Sequence, residues 1–400
     1  MIARYLIFFL STILIPDIYL YRRFRRQNMP LGKWTFRALW FLPTIFLLLY
    51  TGFLFVQPDF EPADPAWLHR FLFLFCFLAV PKAIVALFSV VSRLVARRWK
   101  KGKRPVLFFG CLVAAFAVYA LIYGSTIGFE KLEINRITLR HPDLPEAFRG
   151  YKIVLFSDAH VGSYRGSRQY ILANAIEAIN RQHPDAIVFT GDLQNQQPSE
   201  LTEHSHLLSS LRAKDGIYSV LGNHDYADYI DADSATAAAN IAKMAAMQKD
   251  FGWTLLNDSH HTIRRGNDSL VIAGMQDEGE KEPFVRGDIG KTMKNIGPKT
   301  FVVLLQHDPT AWRRTILPRS HAQLTLSGHT HGGQFALFGL SPGNFHFSEI
   351  AGLYEDNHRF LYVTKGLGGL IPFRFGATPE IVVITLEPQR LAQPKENMYH

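Results

Sequence analysis

Residues 1–128 hold four apolar stretches, at about 5–21, 38–56, 71–91 and 106–126, and few folds can bury that much apolar surface in so short a segment. A helix that crosses a bilayer needs about 20 consecutive apolar residues. The last three stretches meet that length. The first is shorter and contains Pro16 and Asp17, so a cleaved signal peptide is its rival reading. The expectation is a bundle of about four transmembrane helices. The two cysteines, Cys76 and Cys111, lie inside these stretches and read as buried small hydrophobes.

Charge sorts the loops. Arg22, Arg23, Arg25, Arg26, Lys33 and Arg37 fall between the first two stretches, and Arg93, Arg97, Arg98, Lys100, Lys101, Lys103 and Arg104 between the last two. The loop at 57–67 has no Lys or Arg and carries Asp59, Glu61 and Asp64. The positive-inside rule places both basic loops in the cytoplasm. The last span then exits on the opposite face. The expectation is therefore a multi-pass protein of the inner or plasma membrane, with the rest of the chain extracytoplasmic. Residues 1–128 hold 16 Lys+Arg and 4 Asp+Glu, a net +12, whereas the remainder carries −3. The basic isoelectric point thus belongs to the spans, and a nucleic-acid partner is not expected; the bilayer is.

After residue 128 the pattern changes. Residues 129–150 read as a first strand and linker, and a domain is expected over 151–387 with a loose tail at 388–400. Short apolar, β-branched runs at 153–156, 186–190, 218–221, 270–273, 301–305, 324–326, 360–364 and 380–386 predict buried strands. Helical periodicity at 167–182 and 235–251 alternates with them, which makes the fold class α/β.

Five polar motifs follow these runs: Asp158-Ala159-His160, Gly191-Asp192, Gly222-Asn223-His224-Asp225, Gln306-His307-Asp308 and Gly328-His329-Thr330-His331. Loops past strand ends converge on one edge of an α/β sheet. The motifs supply carboxylate, imidazole and amide oxygen, a mixture suited to Mn, Fe or Zn rather than an all-oxygen calcium site. Seven candidate ligands, Asp158, His160, Asp192, Asn223, His307, His329 and His331, are enough for two ions. Asp192 is the candidate bridge, since a carboxylate offers one oxygen to each of two cations. Two such ions acidify a bridging water and offset charge on a phosphoryl group. His224 is placed to protonate the leaving oxygen, with Asp225 expected to orient its ring. Glycines 191, 222 and 328 are expected to permit tight turns and close approach.

These motifs resemble those of the calcineurin-like metallophosphoesterase superfamily over roughly residues 130–387. The resemblance implies a four-layer α/β/β/α sandwich of two mixed sheets. It also implies that Asp158, His160, Asp192 and His331 hold one divalent metal, that Asp192, Asn223, His307 and His329 hold the other, and that His224 assists as an acid. Gly328-His-Thr-His-Gly-Gly-Gln334, with 365–369, 372–375 and 379–381, is similar to the membrane-anchored YkuE/YaeI-type phosphodiesterases. Asn195 stands where that pattern commonly has Asp, in a loop that flanks the ligands. The implied activity is hydrolysis of phosphodiesters, including phospholipid or envelope headgroups, by attack of metal-bridged hydroxide. The alternatives are a phosphomonoesterase, a pyrophosphatase of nucleotide-sugar lipids, and a metal-binding membrane receptor or scaffold without turnover.

Several further residues carry expectations. Arg165 could bind a phosphate oxygen. His204 and His206 read as a polar helical face, His260, His261 and His321 as surface or strand-edge residues, and Asp277 as structural. The aromatic stretch 335–354 could form an amphipathic lip that admits a lipid-linked phosphoester.

Overall fold

The computed structural model describes residues 5–24, 33–57, 64–99, 103–226, 229, 233–279 and 285–389. Arg25, Arg26, Asp59, Glu61, Lys100, Lys101 and the tail from 390 lie outside them. The chain divides into two units, Met1–Gly128 with Ile371–Phe375, and Phe129–Leu370 with Gly376–His400.

The first unit is helical: α1 (Leu6–Phe24), α2 (Lys33–Phe55), α3 (Pro65–Leu78), α4 (Val80–Arg98) and α5 (Lys103–Tyr123). The predicted span at 71–91 straddles the junction of α3 and α4. Pro81 there has no N–H to donate and crowds the carbonyl four residues back. The ladder still crosses the junction, with Ala79 N–H bonded to Phe75 O and Ala83 N–H to Ala79 O, both 2.9 Å. Among the described residues, three helical segments are long and apolar enough to cross a membrane, Trp34–Phe55, Pro65–Arg98 and Arg104–Gly128. α1 carries Asp17, Arg22 and Arg23 in 19 residues and is not among them.

α1 is nonetheless built into the bundle. Phe9 packs edge-on against Phe71 and Phe75, with centroids 5.3 and 5.0 Å apart. Asp17 is buried, and its carboxylate accepts from Lys82 Nζ at 2.6 Å and Thr44 Oγ1 at 2.8 Å. A lone buried carboxylate is expensive, and pairing with further hydrogen bonding is what makes it tolerable. Asp17 and Lys82 are 65 residues apart in the sequence and form one closed cluster in the structure. Cys111 is exposed rather than buried, because its helix turns that side outward.

The second unit contains β1 (Glu133–His141), β2 (Tyr151–Phe156), β3 (Ala186–Phe189), β4 (Ile217–Ser219), β5 (Thr254–Leu255), β6 (Ser259–Arg265), β7 (Asp268–Gly274), β8 (Phe301–Leu305), β9 (Leu324–Ser327), β10 (Gly352–Asp356), β11 (Arg359–Val363) and β12 (Glu380–Pro388). They form two mixed six-stranded sheets, ordered β1-β12-β2-β3-β4-β5 and β10-β11-β9-β8-β7-β6. Side chains alternate between the faces of a strand, and here both faces are used. Ile153, Leu155 and Val188 of one sheet meet Ile272, Val303 and Leu305 of the other. Their neighbours Val154, Phe156, Ile187 and Phe189 pack outward against α6 (Gln169–Asn180) through Ile171, Leu172, Ile176 and Ile179. On the far side Val271, Val302 and Leu304 cover Trp312 and Ile316. The order is helix, sheet, sheet, helix.

β5, β6 and β10 have no counterpart among the predicted runs, and all three are sheet edges. An edge strand needs no continuous apolar run. β6 reads Ser-His-His-Thr-Ile-Arg-Arg, and only Ile263 in it is buried. At the other end of the domain, Pro388 is still in register with His141, and Gln389 N–H donates to His141 O at 3.1 Å. Pairing thus continues past 387, where the loose tail was expected to begin.

Candidate metal centre

β2, β3, β4, β8 and β9 end at Phe156, Phe189, Ser219, Leu305 and Ser327, and Asp158, Asp192, Asn223, His307 and His329 follow each within four residues. The turns are tight. Five of the seven candidate ligands have left-handed backbone, with φ of 49° at Asp158, 44° at His160, 61° at Asp192, 71° at His329 and 53° at His331. Each such residue costs about 1–3 kcal/mol and persists only where surrounding contacts enforce it. Asp158 N–H bonds Gly191 O at 2.9 Å, and His160 N–H bonds Asp192 O at 3.1 Å, locking two of the turns together. The glycines are steric necessities. A Cβ on Gly222 would lie 2.3 Å from Asp192 Oδ1, and one on Gly328 would lie 2.3 Å from Asp158 Oδ2.

The side chains form two groups that share Asp192. Ligand atoms of Asp158, His160, Asp192 and His331 all lie within 4.8 Å of one another, as do those of Asp192, His307 and His329. Asn223 Oδ1 joins the second group, 3.0 Å from His307 Nε2 and 2.8 Å from His329 Nδ1. Asp192 Oδ2 is 3.2 Å from His307 Nε2 and 3.5 Å from His160 Nε2. Backbone groups orient the set. Thr190 O takes His307 Nδ1 at 2.7 Å, which leaves Nε2 to face Asp192. The N–H of His329 donates to Asp158, at 3.0 and 3.2 Å from its two oxygens.

This donor set fits a cation. His160 is wholly buried, and among the described residues neither of its ring nitrogens has a hydrogen-bond partner. Buried polar atoms are seldom left so. Burial pushes the Asp158 carboxyl up. Burial would raise Asp192 too, but His307, His224 and His160 together hold it well below the usual carboxylate range. His307 shows the reverse: burial would lower it, yet Asp192 and Asp158 hold it well above the ordinary imidazole value.

His224 stands beside both groups, its ring centroid 4.8 Å from that of His160 and its backbone N–H donating to Asp192 Oδ1 at 2.9 Å. The expected orienting role of Asp225 is not what the structure has. The Asp225 carboxylate accepts backbone N–H bonds from Asp192, Leu193, Gln194 and Gly222 at 2.8–3.2 Å. Those four donors occupy it, and it braces the turn that presents Asp192. The His224 ring is oriented instead by Asn195 O, 2.7 Å from Nδ1. A backbone acceptor serves whether residue 195 is Asn or Asp. Burial lowers His224 to about 4 and raises Asp225 to about 7.

Arg165 is exposed, with Nε 3.6 Å from Glu203 Oε2, a pairing the sequence reading did not include. His204 is wholly buried rather than on a polar face, and burial lowers its pKa, while His206 is exposed. Asp277 is buried near the centre, and burial raises it to about 6 against the pull of His307 and His329. Tyr229 was missed. Its hydroxyl accepts from Asn223 Nδ2 at 2.6 Å and its ring stacks on His224 at 4.3 Å. It turns the amide so that Oδ1 faces the two histidines. No motif flags a tyrosine six residues past Asn223.

Comparison with known proteins gives the family of the chain. A family model described as calcineurin-like phosphoesterase matches residues 151–333, and one described as probable calcineurin-like phosphoesterase, transmembrane domain, matches residues 3–129. The metallophosphoesterase YkuE of Bacillus subtilis is 32% identical over 314 residues, covering 74% of this chain and 99% of that protein. The transmembrane protein with metallophosphoesterase domain of Danio rerio is 26% identical over 411 residues, covering 96% of this chain and 89% of its own. The UDP-2,3-diacylglucosamine pyrophosphatase LpxG of Chlamydia trachomatis is 27% identical over 298 residues, covering 62% of this chain and 88% of its own. The chain belongs to the calcineurin-like metallophosphoesterases, metal-dependent hydrolases of phosphoric esters, in a membrane-associated form with a transmembrane domain ahead of the metallophosphoesterase domain.

Proposed function

We propose that the protein is a membrane-anchored phosphodiesterase with two divalent ions, one held by Asp158, His160, Asp192 and His331 and the other by Asp192, Asn223, His307 and His329. The observation that carries this reading is the sharing of Asp192 by two ligand groups. Mn, Fe and Zn all suit the donors. Such ions supply Lewis acidity toward a phosphoryl oxygen and an activated water at neutral pH. The chain's own residues do the rest. Asp192, held in place by the Asp225-braced turn, keeps the two groups at one fixed separation. His224 gives the leaving oxygen its proton from Nε2 while Asn195 O holds Nδ1. Its ring is neutral at pH 7 in the free chain, because burial holds it near 4. The anionic substrate beside it favours the protonated form. Purified protein reloaded with Mn, Zn or Fe should hydrolyse generic diesters faster than monoesters. A preference for monoesters, or bound ions without turnover, would overturn this reading and favour a phosphomonoesterase or a receptor.

The loop after the last motif supports a lipid-borne substrate. Phe347 lies edge-on to His329 with centroids 5.6 Å apart, while Phe338, Leu340 and Phe345 are 95%, 72% and 98% exposed. Large apolar side chains this exposed beside a site suit an amphipathic surface. Replacing Phe338 and Phe345 should reduce hydrolysis of a bilayer-borne ester more than that of a soluble one. Equal losses would remove the lip. The likeness to LpxG favours a second reading, cleavage of a pyrophosphate bond in a nucleotide-sugar lipid, and turnover of UDP-2,3-diacylglucosamine would select it. The extracytoplasmic side is also part of the proposal, and a reporter joined after residue 128 that proved cytoplasmic would reverse it.

A further inference from the structure

The transmembrane unit carries cations that it cannot neutralise. Against 16 Lys+Arg, residues 1–128 offer only Asp17, Asp59, Glu61 and Asp64. The last three belong to the segment between α2 and α3. Of these, Asp64 caps the N-terminus of α3, where its side chain accepts from Ala66 N–H at 3.0 Å. Asp17 is already enclosed by Lys82 and Thr44. The arginines at the shared C-terminal end of α1 and α4, Arg22, Arg23, Arg93, Arg97 and Arg98, outnumber the four carboxylates of residues 1–128.

A cavity of about 460 Å³ opens at that end, lined by Ile15, Ile18, Tyr19, Arg22 and Arg23 of α1 and Arg93 of α4. Three guanidiniums and no carboxylate line it. Two of the three are anchored. Arg93 lies 5.3 Å over the Tyr19 ring, Tyr19 bonds Ser89 Oγ at 2.9 Å, and Arg23 reaches Ser89 O at 3.5 Å. Residues 15, 18, 19 and 22 recur at helical spacing, so they form one stripe along α1. That stripe is apolar toward the middle of the helix and cationic at its end. Ile15 and Ile18 are 65% and 40% exposed. The shape asks for a ligand with the same polarity, a negative headgroup and an apolar tail. Guanidiniums suit phosphate oxygens in particular.

We propose that this cavity is a binding site for an anionic phospholipid, with its phosphate among Arg22, Arg23 and Arg93 and an acyl chain along Ile18 and Ile15. Basic pockets between spans are a recurring form of lipid recognition. The cavity is lined by residues of the first unit alone and does not depend on how the metal centre is read. The test uses the full chain in neutral detergent, with phosphatidylglycerol, phosphatidylcholine and inorganic phosphate as probes. Thermal unfolding and retained lipid counted by native mass spectrometry are the readouts. Phosphatidylglycerol should be retained roughly tenfold or more over phosphatidylcholine and should raise the unfolding midpoint. The combined variant Arg22→Gln, Arg23→Gln, Arg93→Gln should lose that preference, and the three Arg→Lys changes should keep most of it. An unchanged helical circular dichroism spectrum and elution profile in detergent report that both variants are folded. Equal retention of the two lipids by the unaltered protein would overturn the site, as would a Gln variant that keeps the preference. An equal response to inorganic phosphate would overturn the lipid assignment.

Discussion

Asp17 and Asp192 are both buried carboxylates, one in each unit, and they end in opposite conditions. Asp17 meets one ammonium and one hydroxyl, and its charge is answered inside the protein. Asp192 stands with Asp158 among imidazoles and an amide oxygen, all of them donors to a cation, and the His160 ring beside it has no hydrogen-bond partner among the described residues. A closed cluster joins helices, whereas an open one waits for a ligand. The basic cavity of α1 and α4 is a third case, open in the opposite sense, with cations and no anion.

If the contrast is right, mutations in the two clusters should fail in different ways. The largest effect is expected at Asp192. Asp192→Ala should lower diester hydrolysis by about a thousandfold or more, since two-metal stabilisation amounts to several kcal/mol. Unfolding temperature measured without metal should change little or rise, because one buried charge has gone. His224→Asn should come next, about a hundredfold lower in kcat with bound metal unchanged. Esters with good leaving groups, which need no acid, should be spared in that variant. Lys82→Met should do the reverse. Removing one partner of a buried pair costs about 3–5 kcal/mol, so the full chain should unfold earlier while the folded fraction hydrolyses a soluble ester at the normal rate. Replacing both Asp17 and Lys82 with apolar residues should restore most of that stability. The smallest effect is expected for Tyr229→Phe. Loss of its hydrogen bond to Asn223 should weaken one ion about tenfold and leave the other unchanged. Equal weakening of both would mean that Tyr229 does not act through Asn223.

The two clusters also differ in how legible they were. The seven ligand positions stand directly after apolar runs, and strand ends gather such loops, so sequence order could stand in for spatial proximity. Asp17 and Lys82 have no such rule. Their pairing depends on how helices pack, which apolar periodicity does not specify. The central strands were readable because both faces are buried. The edges β5, β6 and β10 were not, because a polar strand at a sheet margin looks like a loop. Within the site, Asp225 was misread because its neighbour His224 suggested a side-chain pair, whereas the left-handed turn at Asp192 exposes backbone N–H groups that need an acceptor more. Tyr229 lies in a polar stretch with no pattern at all, and the burial of His204 depends on tertiary packing that the exposed His206 does not share.

The most direct test is a titration of the metal-stripped full chain with Mn, Zn or Fe, following diester hydrolysis against the number of ions bound per chain. If Asp192 joins two sites into one centre, hydrolysis should stay near background through the first ion and rise with the second, reaching its plateau at two per chain. Full turnover with a single ion per chain would contradict the account.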